Sequence, residues 1–325
     1  MSTEKRNENF MLKQSRYSKG KKNVKQYSKN NASKKSGSGK NSYNAYYKKN
    51  DDGFQPKSNG KSNYGKKKYP SKPKGYPKKN AQKPSIKIAF LGGLNEIGKN
   101  ITLVECENDI IIIDCGMAFP DGDMLGVDLV IPDFTYIEQN ADRVKGIILT
   151  HGHEDHIGGL PFLLSKVNVP IYGTPLTLGL VGNKLKEHSL YNQSQLNVIN
   201  AGQSIKLGCM KIDFIHVNHS IPDAVAFAIH TPGGTIVHTG DFKIDCTPIT
   251  GDMIDLSSFA RVGDEGVLAL LSESTNAERP GYTPTERTVS DSLDNLFKSA
   301  ENYRIIIATF ASNVNRVQQI IDCAE

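Results

Sequence analysis

The sequence of 325 residues is 38% apolar and 23% charged, with a net charge of +6, and these averages conceal two different pieces. Residues 1–85 hold 24 Lys/Arg against 4 Asp/Glu, a net of +20, whereas the rest hold 16 against 30, a net of −14. Leu12 and Val24 are the only branched aliphatics of the first piece, so it cannot bury enough apolar surface to offset its ordering entropy, and a single globular body is excluded. The second piece is long enough for a sizeable core. No run of about 18 apolar residues exists to span a membrane, and the charged start MSTEKRNENF has no secretory signal. Five scattered cysteines without CxxC spacing exclude a disulfide framework and a thiolate zinc knuckle. They indicate reduced thiols in a cytoplasmic protein.

In chain order, residues 1–85 read as a disordered Lys/Asn/Ser/Tyr-rich basic tail. Tyrosines such as Tyr43, Tyr46, Tyr47 and Tyr64 are interleaved with lysines, and prolines join from Lys66 onward. Cations that neutralise phosphates and aromatic faces that stack on bases suit single-stranded nucleic acid or the ribosome, with a steep salt dependence. A plain solubilising linker has the same composition, and an anionic membrane surface lacks the amphipathic pattern that insertion needs.

From Ser85 the texture changes to short β-branched runs. Ile86–Leu91, Ile101–Cys106, Asp109–Asp114 and Gly146–Thr150 are predicted strands, followed by helices over Ile157–Lys166 and Thr174–His188. Strands return at Met210–Val217, Ala224–His230, Thr235–His238 and Gly266–Leu271. Thr283-Pro284-Thr285-Glu286 predicts a capping-box helix start at Thr283, running to about Asn302. Arg304–Phe310 is then a predicted strand, and Ser312 the cap of a final helix. Strand clusters with helices between them indicate an α/β protein of stacked layers. Gly93–Asn100 nearly spells a phosphate-binding GxxxxGK[ST] loop. Asn100 replaces the magnesium-binding hydroxyl, Glu96 brings a carboxylate, and a strand follows where a helix is required, so nucleotide binding is rejected.

The informative segment is Thr150-His151-Gly152-His153-Glu154-Asp155-His156, directly after an apolar strand. All eight histidines of the chain fall between positions 151 and 238, which makes a chance polar loop a poor explanation. A strand that stops and turns at Gly152 lets side chains converge from one loop. Imidazole nitrogens and carboxylate oxygens suit Zn²⁺, with Mn²⁺ or Fe as geometric alternatives. His151 and His153 can grip one ion, while Asp155 and His156 face a second. His219 and Asp241 each follow a predicted strand. His219 fills out the first ion's shell, and Asp241 is placed to bridge the two. Asp114 is read as supporting the loop through hydrogen bonds, and His188, His216, His230 and His238 as structural, with His238 the one to watch.

The pattern HxHxDH, a distant His and then an Asp resembles the metallo-β-lactamase superfamily. LGGLNEIGKN, FPDGDMLGVDLVIPD, LTHGHEDHIGGLPFLL, VNHSIPDAVAFAI, HTGDFKID, LLSESTNAERPG and TFASNVNRVQQ narrow the resemblance to the beta-CASP nucleases of the bacterial ribonuclease J family. The resemblance implies a metallo-β-lactamase αββα sandwich over 86–280, followed by the start of an inserted α/β beta-CASP domain over 281–325. It also implies one zinc on His151, His153 and His219, another on Asp155 and His156, and Asp241 shared. A pair of metals of this kind activates a water for in-line attack on a phosphodiester, with Asp155, Asp241 and Glu273 as acidic catalytic residues. The implied activity is 5′-to-3′ exonucleolysis with endonucleolytic cleavage of single-stranded, 5′-monophosphorylated RNA, in mRNA decay and rRNA maturation. Thr309, Phe310, Ala311, Ser312 and Asn313 are implied substrate-phosphate contacts, since a helix N-terminus offers free N–H groups. Gly126 and Asp128 are implied calcium ligands. Homodimers or homotetramers and an RNA-degradation complex or ribosome are implied partners. Another hydrolase on the same scaffold, and a non-catalytic RNA-binding subunit, are the alternatives. Because no His follows His238 and the chain stops at Glu325 inside an apparent helix, it reads as a fragment. As such it should hold the first zinc better than the second and hydrolyse RNA weakly or not at all.

Overall fold

The computed structural model describes residues 83–325. The basic tail expected over 1–85 lies, up to residue 82, outside the described residues. The first sheet has six strands in sequence order, β1 (Ile86–Gly92), β2 (Ile101–Cys106), β3 (Asp109–Ile113), β4 (Val144–Ile148), β5 (Ile171–Gly173) and β6 (Leu196–Val198). Its first two pairings are antiparallel and the next three parallel. The second sheet has the order β11-β10-β9-β8-β7, from β7 (Ser204–Leu207), β8 (Met210–His216), β9 (Val225–Thr231), β10 (Gly234–His238) and β11 (Ala269–Leu271). Its pairings are antiparallel except for β10 with β11.

The unbroken run Ile110–Ile113 in β3 is explained by burial on both faces of the first sheet. Ile110 and Ile112 face Leu160, Leu163, Val181 and Leu185 of the helical layer. Their alternates Ile111 and Ile113 pack on Met210, Ile212, Phe214 and Phe227 of the second sheet. The outer face of the second sheet, with Ile215, Ala226, Ala228 and Val237, is covered by Ile254, Phe259 and Val262. The last two belong to helix α5 (Leu256–Glu265), the fifth after α1 (Thr135–Gln139), α2 (Glu154–Ile157), α3 (Leu160–Leu164) and α4 (Pro175–Glu187). The result is the expected αββα sandwich. Helices α6 (Glu286–Ser299) and α7 (Val314–Ala324) follow. Among the described residues, no helix is long and apolar enough to cross a membrane.

Several local expectations are corrected. The predicted strand Gly146–Thr150 is β4, two residues earlier, because the Thr150 N–H is taken by the Asp114 carboxylate at 2.8 Å instead of a ladder carbonyl. The single helix predicted over Ile157–Lys166 is two short ones, parted where the Gly159 N–H turns to the Cys115 carbonyl at 2.8 Å. Thr285, not Thr283, caps α6, and the helix ends at Ser299. Glu286 cannot close the expected capping box because its carboxylate is bonded to Lys243 and Arg316. Asn313, not Ser312, caps α7, its side chain accepting the Arg316 N–H at 3.1 Å. Arg304–Phe310 is not a strand: among the described residues it has no strand to pair with, and Ile306 and Phe310 stand 89% and 85% exposed. Helices α1 and α5 and the short strands β5, β6 and β7 were not anticipated.

One buried carboxylate gives the fold a pH signature. Burial would push Glu105 up, but Lys87 (2.7 Å), Arg143 (2.9 Å) and the Tyr136 hydroxyl (2.8 Å) outweigh it and hold the group at about 2. A carboxylate depressed in the folded state stabilises it fully above its unfolded pKa, and that contribution is lost as pH falls toward the folded value. Stability is therefore expected to drop between about pH 4.5 and 2. Glu105→Gln should flatten that part of a urea-midpoint profile, and an unchanged profile would contradict the assignment.

Candidate metal centre

The expected site begins at C-terminal strand ends on one rim of the sandwich: the supporting Asp114 after β3, and the metal residues His151 after β4, His219 after β8 and Asp241 after β10. The segment carrying His153, Asp155 and His156 is clamped by backbone bonds. Asn100 N–H reaches the Asp155 carbonyl at 3.0 Å, Cys115 N–H the His156 carbonyl at 2.8 Å, and Met117 N–H the Glu154 carbonyl at 3.2 Å. Gly116 is required at this crossing, since a Cβ there would sit 1.6 Å from the Asp155 carbonyl oxygen. Gly240, at φ 58°, makes the turn that presents Asp241.

Donor atoms of His151, His153 and His219 lie within 4.8 Å of one another, as do those of His151, His156 and Asp241. Among the described residues these are the two groups of three metal-ligating side chains that converge in this way, and they share His151. His153 Nδ1 faces His151 Nε2 at 3.0 Å and His219 Nε2 at 3.2 Å. His156 Nε2 stands 3.5 Å from Asp241 and 3.6 Å from Asp155. Asp155 is therefore at the second group's edge.

Hydrogen bonds set the protonation. The Thr150 hydroxyl donates to Asp114 at 2.8 Å, so its oxygen accepts from His151 Nδ1 at 3.0 Å, which leaves Nε2 unprotonated toward the site. Burial, reinforced by neighbouring imidazoles, lowers His151 well below its ordinary value. Burial likewise lowers His153, and brings His219 to about 4, against the opposing pull of nearby carboxylates. Three neutral nitrogens facing one point suit a cation. His156 behaves oppositely. Burial would lower it, but Asp114 at 2.7 Å and Asp241 raise it well above the usual range. Burial also opposes ionisation of Asp241, yet His156 and the other imidazoles hold it at about 2. A proton on His156 thus occupies the place of positive charge between carboxylates, and ligation through Nε2 requires its release. Both donor sets fit metal ions.

Asp114, 2% exposed, accepts from Thr150 twice and from His156, which fixes the His156 ring. Two residues with site contacts were missed. Thr150 links Asp114 to His151. Asn100, the residue that spoiled the nucleotide motif, sends its amide to the Asp155 carbonyl (3.1 Å) and carboxylate (3.3 Å) and lies 3.1 Å from His156 Nε2. His238 accepts the Gly240 N–H at 3.1 Å and so shapes the Asp241 turn. His216 lies against the Asp252 carbonyl, His230 against Asp213, and His188 against Phe162.

Glu273 shares a 560 Å³ cavity with Asp155, His156 and Asp241. Gly126 and Asp128 lie on an exposed loop, and among the described residues no converging group of three ligating side chains includes Asp128. Thr309, Phe310 and Ala311 are exposed, and Ser312 and Asn313 lead into α7. That helix is tied toward the metal rim, because Asn315 and Glu286 share a 250 Å³ cavity with His219 and Lys243. Glu286 holds both Lys243 at 2.7 Å and Arg316. Glu286→Ala should cost about 1.5–3 kcal/mol in the anchoring of α6 and α7, seen as faster proteolysis confined to residues 286–325. Unchanged protection would contradict that anchoring.

Residues 94–282 match the Metallo-beta-lactamase superfamily. Ribonuclease J2 of Bacillus subtilis is 47% identical over 76% of this chain and 44% of its own length. Ribonuclease J 1 of Streptococcus pyogenes is 49% identical over 74% of the chain and 42% of its length. The chain thus spans less than half of these curated relatives. Among solved structures, a protein of unknown function from Enterococcus faecalis superposes with a TM-score of 0.57 at 18% identity, covering 74% of this chain and 63% of that one, which bears on the fold alone. By fold, donor set and matched sequence, the chain belongs to the metallo-beta-lactamase superfamily.

Proposed function

We propose that this chain is the metal-binding part of a zinc-dependent ribonuclease J-type enzyme that cleaves RNA from a 5′-monophosphorylated end and internally. The observation that carries the proposal is the pair of donor groups joined at His151, beside a cavity wide enough for a nucleotide, in a chain nearly half identical to ribonucleases J. His151, His153 and His219 would hold one zinc, Asp155 and His156 a second, and Asp241 would be shared. Bound metals supply Lewis acidity and charge neutralisation at the scissile phosphate. The chain's own residues do the rest. Asp114 and Thr150 orient the imidazoles, Asn100 fixes Asp155, and Asp155 and Asp241 stand as proton acceptors on the cavity side. Glu273 lines the same cavity.

Residues 86–280 form the metallo-β-lactamase domain and 281–325 begin a beta-CASP domain, whose Thr309–Asn313 segment reaches substrate phosphate. The same proposal takes in cytoplasmic mRNA decay and rRNA maturation, a homo-oligomeric assembly, a calcium contact at Gly126 and Asp128, and capture of RNA or ribosomes by the basic tail. Zinc-loaded chain incubated with 5′-monophosphorylated RNA should shorten it weakly or not at all, far more slowly than a longer relative does, and Asp241→Ala should remove any residual cleavage. Turnover of a β-lactam or small ester with RNA left intact would overturn the proposal.

A further inference from the structure

The cavity beside the metal centre has one wall that the proposed chemistry does not use. Leu94 and Ile97 line it together with Asp155, His156 and Asp241, yet they are 64% and 81% exposed and contribute little to the core. Phe90, 40% exposed, lines the same cavity. The backbone that presents them is unusual. Gly93, Asn95, Gly98 and Lys99 have φ of 80°, 59°, 92° and 52°, a left-handed region that glycine and asparagine tolerate but that is disfavoured for Lys99. The turn is nevertheless held firmly. The Glu96 carboxylate accepts the Gly93 N–H at 3.1 Å and pairs with Lys99 at 3.1 Å, and the Lys99 N–H bonds the Met117 carbonyl at 3.0 Å. A braced, strained turn that keeps two aliphatic side chains in water beside a reactive centre is a feature with a binding purpose.

We infer that Leu94 and Ile97, with Phe90, form an apolar platform for the nucleobase adjoining the phosphate at the metal centre. The inference rests on the ribonuclease proposal and names how that site takes its substrate. A phosphodiester placed at Asp155, His156 and Asp241 carries sugar and phosphate, both polar, and one apolar surface, the face of its base. The platform's side chains have no hydrogen-bonding atoms, so the contact accepts any base by its face and reads none by its edge.

The test is affinity of the zinc-loaded full chain for a 5′-monophosphorylated RNA decamer and for decamers with one abasic nucleotide at successive positions. At one position the missing base should weaken wild-type binding about tenfold. The Leu94→Ser/Ile97→Ser variant should bind the intact decamer about tenfold more weakly and be indifferent to the abasic nucleotide at that position. Leu94→Met/Ile97→Leu should restore wild-type behaviour. Leu125→Ser, 90% exposed but outside the cavity, should leave affinity unchanged. An abasic penalty that persists in the double serine variant overturns the platform. RNA cleaved or bound with no abasic penalty anywhere overturns it while leaving the ribonuclease proposal standing. RNA neither bound nor cleaved overturns both.

Discussion

Asp241→Ala is expected to weaken the binding of both metal ions, whereas His219→Ala should leave one. The asymmetry follows from geometry: Asp241 Oδ2 stands 3.5 Å from His156 Nε2 and 3.8 Å from His219 Nε2 and so reaches both donor groups, whereas His219 belongs to the first alone. Loss of an outer-shell partner already weakens metal binding about 10–100-fold, and loss of a direct ligand to both ions should exceed that. Competition titration against a chromophoric chelator, with elemental analysis of the dialysed variants, measures both effects. Equal losses from the two variants, or two ions retained by Asp241→Ala, would contradict the shared placement.

The second large effect is expected at Asp114, which touches no metal. Its carboxylate is 2% exposed and satisfies the Thr150 N–H, the Thr150 hydroxyl and His156 Nδ1 at 2.8, 2.8 and 2.7 Å. Asp114→Ala leaves a buried N–H without a partner and a buried imidazolium without its counter-charge, which costs about 3–5 kcal/mol. Asp114→Asn keeps acceptor capacity but removes the charge, so it should fold better than the alanine variant and still bind metal about 10–100-fold more weakly. Denaturation midpoints and metal affinity measured together separate the two variants. Wild-type metal affinity in Asp114→Asn would show that this residue does not support His156.

Much of the site was legible because its donors are close in sequence. His151, His153, Asp155 and His156 fall within six residues after an apolar strand, and a turn at Gly152 suffices to gather them. Asp114, at the end of β3, was legible for a related reason: a carboxylate closing an apolar strand must find partners at the rim. Asn100 was not, because its role arises where two loops about 55 residues apart are pressed together around Gly116, and only tertiary packing creates that contact. The double burial of β3 was readable from its run of isoleucines, while β5 and β6, three residues each, are too short to show a period. At Arg304–Phe310 apolar content was mistaken for a strand, since pairing needs a neighbour as well as propensity. The two helix caps slipped for another reason. Ser, Thr and Asn are near-equal as caps, and the carboxylate of Glu286, the first residue of α6, is drawn to Lys243 and Arg316, both far from it in sequence.

The central claim is that imidazole and carboxylate groups, and none of the five cysteines, hold the metal. X-ray absorption at the zinc edge of the zinc-loaded chain tests it most directly. The predicted spectrum has a nitrogen and oxygen shell at about 2.0–2.1 Å with the outer scattering of several imidazole rings. A sulfur shell at about 2.3 Å, or a shell of oxygen without imidazole scattering, would contradict it.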